Sequence, residues 1–178
     1  VCDMARLRDV VAQLADGLTA IHGAGMLHCD IKPSNVLVTP DGNVTILDFG
    51  IAQAVNSAQK DLADRERPKG TPTYMSPEQG LAAPLTPATD SYAVGAMLYE
   101  ALTGELPFDG AAIAILLAKQ SVLPPRPSDL KSGIPDDLDD LVMRLLSIDP
   151  RRRPSTTEIM ALFGHQSRSR TRGRTHDT

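Results

Sequence analysis

The sequence predicts a mainly α-helical fold that carries one small β-hairpin. Two helical patterns and one turn predict it. In residues 5–22, Leu7, Val10, Val11, Leu14, Leu18 and Ile21 recur at the spacing that lines one helix face. Residues 90–103 are apolar nearly all round, with Val94, Ala96, Met97, Leu98 and Leu102, as a helix buried at the centre of a domain must be. Between them, β-rich runs at 36–38 and 44–47 flank Pro40-Asp41-Gly42-Asn43, a turn that folds them into a hairpin.

The remaining elements follow in order. Gly23 and Gly25 end the first helix. Residues 50–88 show little periodicity and hold Pro68, Gly70, Pro72, Pro77, Pro84 and Pro87. So long an irregular stretch inside a domain is uncommon, and is either functional or disordered. Residues 110–120 read as a helix, and 121–135 as a Pro-rich connector whose Pro124-Pro125-Arg126-Pro127 is a rigid loop. Two closing helices are expected at 136–147 and 155–163, with Asp136 and Ser155 as N-caps. Residues 165–178 carry Arg168, Arg170, Arg172 and Arg174 and nothing apolar to bury. They are expected to form a disordered, solvated basic tail. The division is therefore a folded unit at 1–164 and a tail at 165–178.

Composition excludes several classes of function. A chain of 178 residues is long enough for one domain with a real core. Aromatic residues are only 3%, without Trp, so aliphatic side chains must build that core. A net charge of -4 offers no electrostatic footprint for nucleic acid. Cys2 and Cys29 are too few for a disulfide framework or a zinc site, which fits a reduced, cytoplasmic setting. No apolar run approaches the roughly 18 residues of a membrane span. Oligomeric state is not readable from the sequence.

Four segments carry chemistry, and their order matters more than any one of them. They are His28-Cys29-Asp30-Ile31-Lys32-Pro33-Ser34-Asn35, then Asp48-Phe49-Gly50, then Gly70-Thr71-Pro72-Thr73-Tyr74-Met75-Ser76-Pro77-Glu78, then Asp149-Pro150-Arg151-Arg152-Arg153-Pro154-Ser155. Phosphoryl transfer needs metal ions to neutralise charge and a residue to position the nucleophile. Mg²⁺ takes hard oxygen ligands. A turn followed by a hairpin can bring Asn35 and Asp48 together at the open end of the two strands. Asp30 on that turn can reach a substrate hydroxyl, and Lys32 can meet phosphate.

This set resembles the protein kinase catalytic segment, H-R-D-x-K-x-x-N followed by D-F-G and A-P-E, most closely in its bacterial serine/threonine members. The resemblance runs from about residue 5 to residue 163. It implies the C-terminal lobe of an α+β family fold, ATP and Mg²⁺ as cofactors, and a protein substrate. By resemblance, Asp30 is the catalytic base and Lys32 contacts the transferred phosphate. Lys32, Ser34, Asn35, Leu37 and Asp48 face the nucleotide, Leu37 beneath the adenine, and Asn35 and Asp48 hold Mg²⁺. Residues 48–78 become the activation segment. Thr71 is expected to hydrogen-bond Asp30 and Lys32, a pairing that marks serine/threonine rather than tyrosine kinases. His28 and Phe49 are structural, Glu78 forms a buried ion pair with Arg153, and Asp90 anchors the catalytic-loop backbone.

Two departures from the family pattern shape the expectation. Cys29 stands where the Arg of H-R-D would pair with a phosphorylated loop residue, and a thiol cannot make a bidentate pair with phosphate. Phosphorylation of the activation segment, where Ser57 is the one hydroxyl between Gly50 and Gly70, is therefore not expected to be the main switch. The sequence also shows no glycine-rich phosphate loop or V-A-I-K lysine, because Gly23-Ala24-Gly25 is a turn. The N-terminal lobe is expected to be absent. Two readings stay open: part of an active serine/threonine kinase, or a catalytically inactive kinase fragment that binds a protein partner.

Overall fold

The computed structural model describes residues 3–48, 53–54 and 71–171, with side chains for 3–48 and 71–163. Phe49, Gly50 and Ser57 lie outside the described residues.

The apolar stripe of the first segment folds as α1, Met4–Gly23. Asp3 caps it, accepting the N–H groups of Ala5 at 3.0 Å and Arg6 at 3.1 Å. The helix stops where Gly25 takes φ 74°, a left-handed value that glycine adopts without a Cβ clash. Two-residue β1, Met26–Leu27, follows and pairs antiparallel with β4, Gln53–Ala54. The predicted hairpin is β2, Val36–Val38, against β3, Val44–Ile46, in the register Val36↔Ile46 and Val38↔Val44. Gly42, at φ 87°, turns it.

Residues 71–86 contain one short helix, α2, Pro77–Gly80. The buried central helix is α3, Pro87–Thr103. It starts before the expected residue 90 because Thr86 and Thr89 form a cap ahead of it, the Thr86 N–H meeting Thr89 Oγ1 at 3.2 Å. α4 spans Ala112–Ala118. The Pro-rich connector hides a further helix, α5, Pro127–Leu130, which opens on the proline taken for part of a rigid loop. Asp139 holds α5 by accepting the Ser128 N–H at 2.9 Å and Arg126 Nε at 2.7 Å.

α6, Asp136–Leu145, places Pro135 at the N-cap, and Asp136 is already helical. Asp136 thus serves the first turn with Asp137 and Asp139, where carboxylates meet the positive end of the helix dipole. α7 is capped as expected: Glu158 N–H reaches Ser155 Oγ at 3.2 Å, and the Ser155 N–H returns to Glu158 Oε2 at 2.8 Å. α7 continues to Thr171, past the helix end expected at 163. Arg is a good helix former, and each residue added to an existing helix gains a backbone bond, so a basic composition alone does not stop it.

The core lies between four helices. α1 packs along α7, and α3 along α6. Leu14, Leu18, Tyr92, Ala96, Tyr99, Leu138, Leu145 and Ile159 fill the space. Each fully buried Leu or Ile contributes about 1.5–3 kcal/mol relative to exposure. The hairpin rides on α1, where Gln13 donates to the Gly42 carbonyl at 2.8 Å and accepts the Val44 N–H at 3.1 Å. This fixes the turn end of the hairpin against the helix.

Candidate active site

The loop after β1 is shaped from below by α3. Asp90, in the first turn of that helix, accepts the backbone N–H of His28 at 3.0 Å and that of Cys29 at 2.8 Å. It also takes His22 Nε2 at 2.8 Å, a third partner that the sequence did not reveal. Cys29 sits at φ 64°, a left-handed conformation that costs a non-glycine residue about 1–2 kcal/mol. Besides the Asp90 bond, the Cys29 carbonyl accepts Gln79 Nε2 at 2.8 Å, so its backbone is held from two sides. Burial first, then the charges of Asp90 and Asp30, pushes the Cys29 thiol up to about 12. It stays protonated and is neither a nucleophile nor a phosphate partner.

His28 is fully buried. Its Nε2 lies 3.0 Å from the Leu47 carbonyl, and its Nδ1 accepts the Asp30 N–H at 3.3 Å. That combination calls for the tautomer protonated on Nε2. The imidazole thereby ties the loop to the far strand of the hairpin.

On this support stand Asp30, Lys32 and Asn35. Lys32 Nζ reaches Asp30 Oδ2 at 2.7 Å. Asn35 Nδ2 reaches the same oxygen at 3.1 Å and the Asp30 carbonyl at 2.9 Å. Asp30 Oδ1 accepts nothing from the described residues and remains able to take a hydroxyl proton. Asn35 spends its amide N–H₂ on Asp30, and its Oδ1 likewise accepts no hydrogen bond among the described residues. Across the hairpin, the Leu47 N–H bonds to the Asn35 carbonyl at 2.8 Å, and Asp48 is the next residue. Asp48 is exposed and lies at φ 59°. Asn35 and Asp48 therefore share one end of the hairpin. An unused amide oxygen beside a carboxylate suits a hard cation such as Mg²⁺. Ser34 is exposed on the 3₁₀ turn Pro33–Asn35, and Leu37 is 51% exposed.

Thr71 opens the next described segment. Its carbonyl accepts the N–H groups of Tyr74 at 3.0 Å and Met75 at 3.3 Å. Its hydroxyl bonds neither Asp30 nor Lys32 among the described residues.

Glu78 and Arg153 meet as a fork on a fork, Nη1 to Oε1 at 2.6 Å and Nη2 to Oε2 at 2.9 Å. Their side chains are 9% and 0% exposed. Thr89 Oγ1 adds a bond to Glu78 at 3.0 Å, and Arg153 spends its other N–H groups on the carbonyls of Ser147, Ala88 and Ile148. Burial pushes the Glu78 carboxyl up, and the Arg153 bonds and charge, with Thr89, outweigh it and hold the group below its ordinary value.

Comparison with known proteins agrees with this geometry. The protein kinase domain family matches residues 1–162, and the chain belongs to that family. It is similar to a probable serine/threonine-protein kinase, PknB, of Corynebacterium glutamicum, with 34% identity over 167 residues, 90% of this chain and 26% of the relative. It is 38% identical over 155 residues to the probable serine/threonine-protein kinase PkwA of Thermomonospora curvata, covering 87% of this chain and 20% of the relative. With the serine/threonine-protein kinase PknA of Mycobacterium tuberculosis it shares 37% identity over 147 residues, 83% of this chain and 32% of the relative. The chain thus spans roughly a fifth to a third of the length of these curated relatives. Among the described residues, no helix is long and apolar enough to cross a membrane.

Proposed function

We propose that this chain supplies the C-terminal, helical lobe of a serine/threonine protein kinase, at residues 1–164, with the basic stretch of 165–178 following it. The observation that carries the reading is the shared oxygen of Asp30. Lys32 and Asn35 both bind Oδ2, which orients the carboxylate and leaves Oδ1 open. In this reading Oδ1 accepts the proton of an acceptor Ser or Thr hydroxyl as its oxygen bonds the γ-phosphorus of ATP. The bond from that phosphorus to the bridging oxygen breaks, and ADP leaves. Lys32 lies against the transferred group and offsets its charge. Asn35 Oδ1 and the Asp48 carboxylate would hold Mg²⁺, which neutralises phosphate charge when bound. The exposed Leu37 forms the floor for adenine. The free, buried Cys29 and the need for ATP support a cytoplasmic setting for this chemistry.

The test uses the full protein that carries this chain, with Mg²⁺-ATP and myelin basic protein as acceptor. Phosphate should appear on Ser or Thr, and Asp30→Asn should lower kcat by about 10²–10⁴-fold, as loss of a general base does. Mg²⁺-ATP should stabilise the protein by about 2.7 kcal/mol at 100 times its Kd. Asp48→Ala should abolish that shift. A folded protein that binds a partner but transfers no phosphate would refute the catalytic reading and leave an inactive binding fragment.

A further inference from the structure

Lys119, the C-terminal cap of α4, is 1% exposed and pairs with no carboxylate among the described residues. Its Nζ donates to three carbonyls of one segment: Pro72 at 2.8 Å, Thr73 at 2.7 Å and Met75 at 2.7 Å. An ammonium has three N–H donors, and here all three are used. The rings of Tyr92 and Phe108 lie 5.3 Å and 5.9 Å from Nζ. Beyond Tyr92 stands Arg153, 5.0 Å from the same ring and paired with Glu78. On the segment itself, Tyr74 is engaged with Glu100 at 2.7 Å. The neighbouring Gln120 adds a bond to the Pro77 carbonyl at 2.9 Å.

Burying a cation without a counter-ion is costly. Here it draws carbonyls that would otherwise diverge onto a single atom. The segment so gathered runs on to Gln79, which bonds the Cys29 carbonyl at 2.8 Å, one residue from Asp30. Lys119 therefore sets the shape of a backbone stretch that leads directly to the acceptor side of the site.

We propose that Lys119 is a positioning residue for the phosphoryl acceptor: its ammonium fixes residues 72–75 as the wall along which a Ser- or Thr-bearing polypeptide lies beside Asp30. The inference rests on the kinase reading above. Lys119 touches neither Asn35 nor Asp48, so nucleotide binding does not depend on it. Burial pushes its pKa down to about 7.

The experiment uses the full protein, myelin basic protein and Mg²⁺-ATP. Lys119→Met keeps the apolar stem and removes the three donors. It should raise the acceptor KM about tenfold and leave the ATP KM within about twofold, the split expected when acceptor binding alone is lost. An unchanged acceptor KM, or acceptor and ATP KM rising together, overturns the proposal. Lys119→Gln decides by the same criterion if the Met variant does not fold. A wild-type protein that transfers no phosphate brings down the kinase reading and this inference together. An active wild type with an indifferent Lys119→Met brings down this inference alone.

Discussion

Asp90 Oδ1 accepts the backbone N–H of Cys29 at 2.8 Å, joining the first turn of the most buried helix to a residue at φ 64°. With the His28 N–H and His22 Nε2 on Oδ2, one carboxylate serves three donors from two stretches of chain. The loop after β1 is thus shaped by a side chain that lies 61 residues away from Cys29 in sequence.

Asp90→Asn tests this. The amide keeps one acceptor oxygen and turns an N–H₂ group toward donors. A buried donor left without an acceptor costs about 1–3 kcal/mol, so urea unfolding should show at least that loss. The kcat should fall while the ATP KM holds, because Asp30 is displaced and the hairpin end is not. Unaltered stability would mean that the loop is held by something else.

The Glu78–Arg153 pair makes a second prediction. Arg153→Met leaves a buried carboxylate alone and should cost about 3–5 kcal/mol. The pH dependence has a definite sign. Glu78 is held below its ordinary value of 4.5, so its stabilising contribution is present above that value and is lost as pH falls through the folded-state value. In the variant the lone carboxyl gains by taking up a proton. The stability gap between the two proteins should therefore narrow on acidification, as denaturant titrations at stepped pH would show. A gap that widens would contradict the pair.

Two glycines separate packing from propensity. A Cβ on Gly95 would lie 2.6 Å from Leu145 Cβ and 3.3 Å from the Leu145 carbonyl carbon, where α3 crosses α6. Gly95→Ala should destabilise by about 1–3 kcal/mol through overpacking. A Cβ on Gly17 would meet only the tip of Ile46, Cδ1 at 2.9 Å. That methyl can rotate away, and mid-helix Gly→Ala gains about 1 kcal/mol of helix propensity. Gly17→Ala should thus be close to neutral or stabilising. Equal effects at both positions in thermal unfolding would refute the argument.

Much of the architecture was legible because periodicity is a local signal. The stripe from Leu7 to Ile21, the all-apolar run through Val94 and Leu98, and the turn at Gly42 each mark their own element. The candidate site was legible through spacing, since Asp30, Lys32 and Asn35 lie within one turn. What escaped depends on contacts between distant segments. Nothing near Gln79 announces that it reaches Cys29, and nothing near His22 announces Asp90. Nothing in the sequence marks Lys119, because its three acceptors are main-chain carbonyls, which carry no sequence signature.

The hold of Asp90 on the loop also has a meaning in time. Loops normally open on their own, far faster than the core unfolds. The amides of His28 and Cys29 are instead fastened to α3, and cannot part from their acceptor until that helix moves. The loop therefore borrows the lifetime of the core, and its hydrogens should trade with solvent as slowly as those of α3. A loop held this way keeps its shape for as long as the core keeps its own.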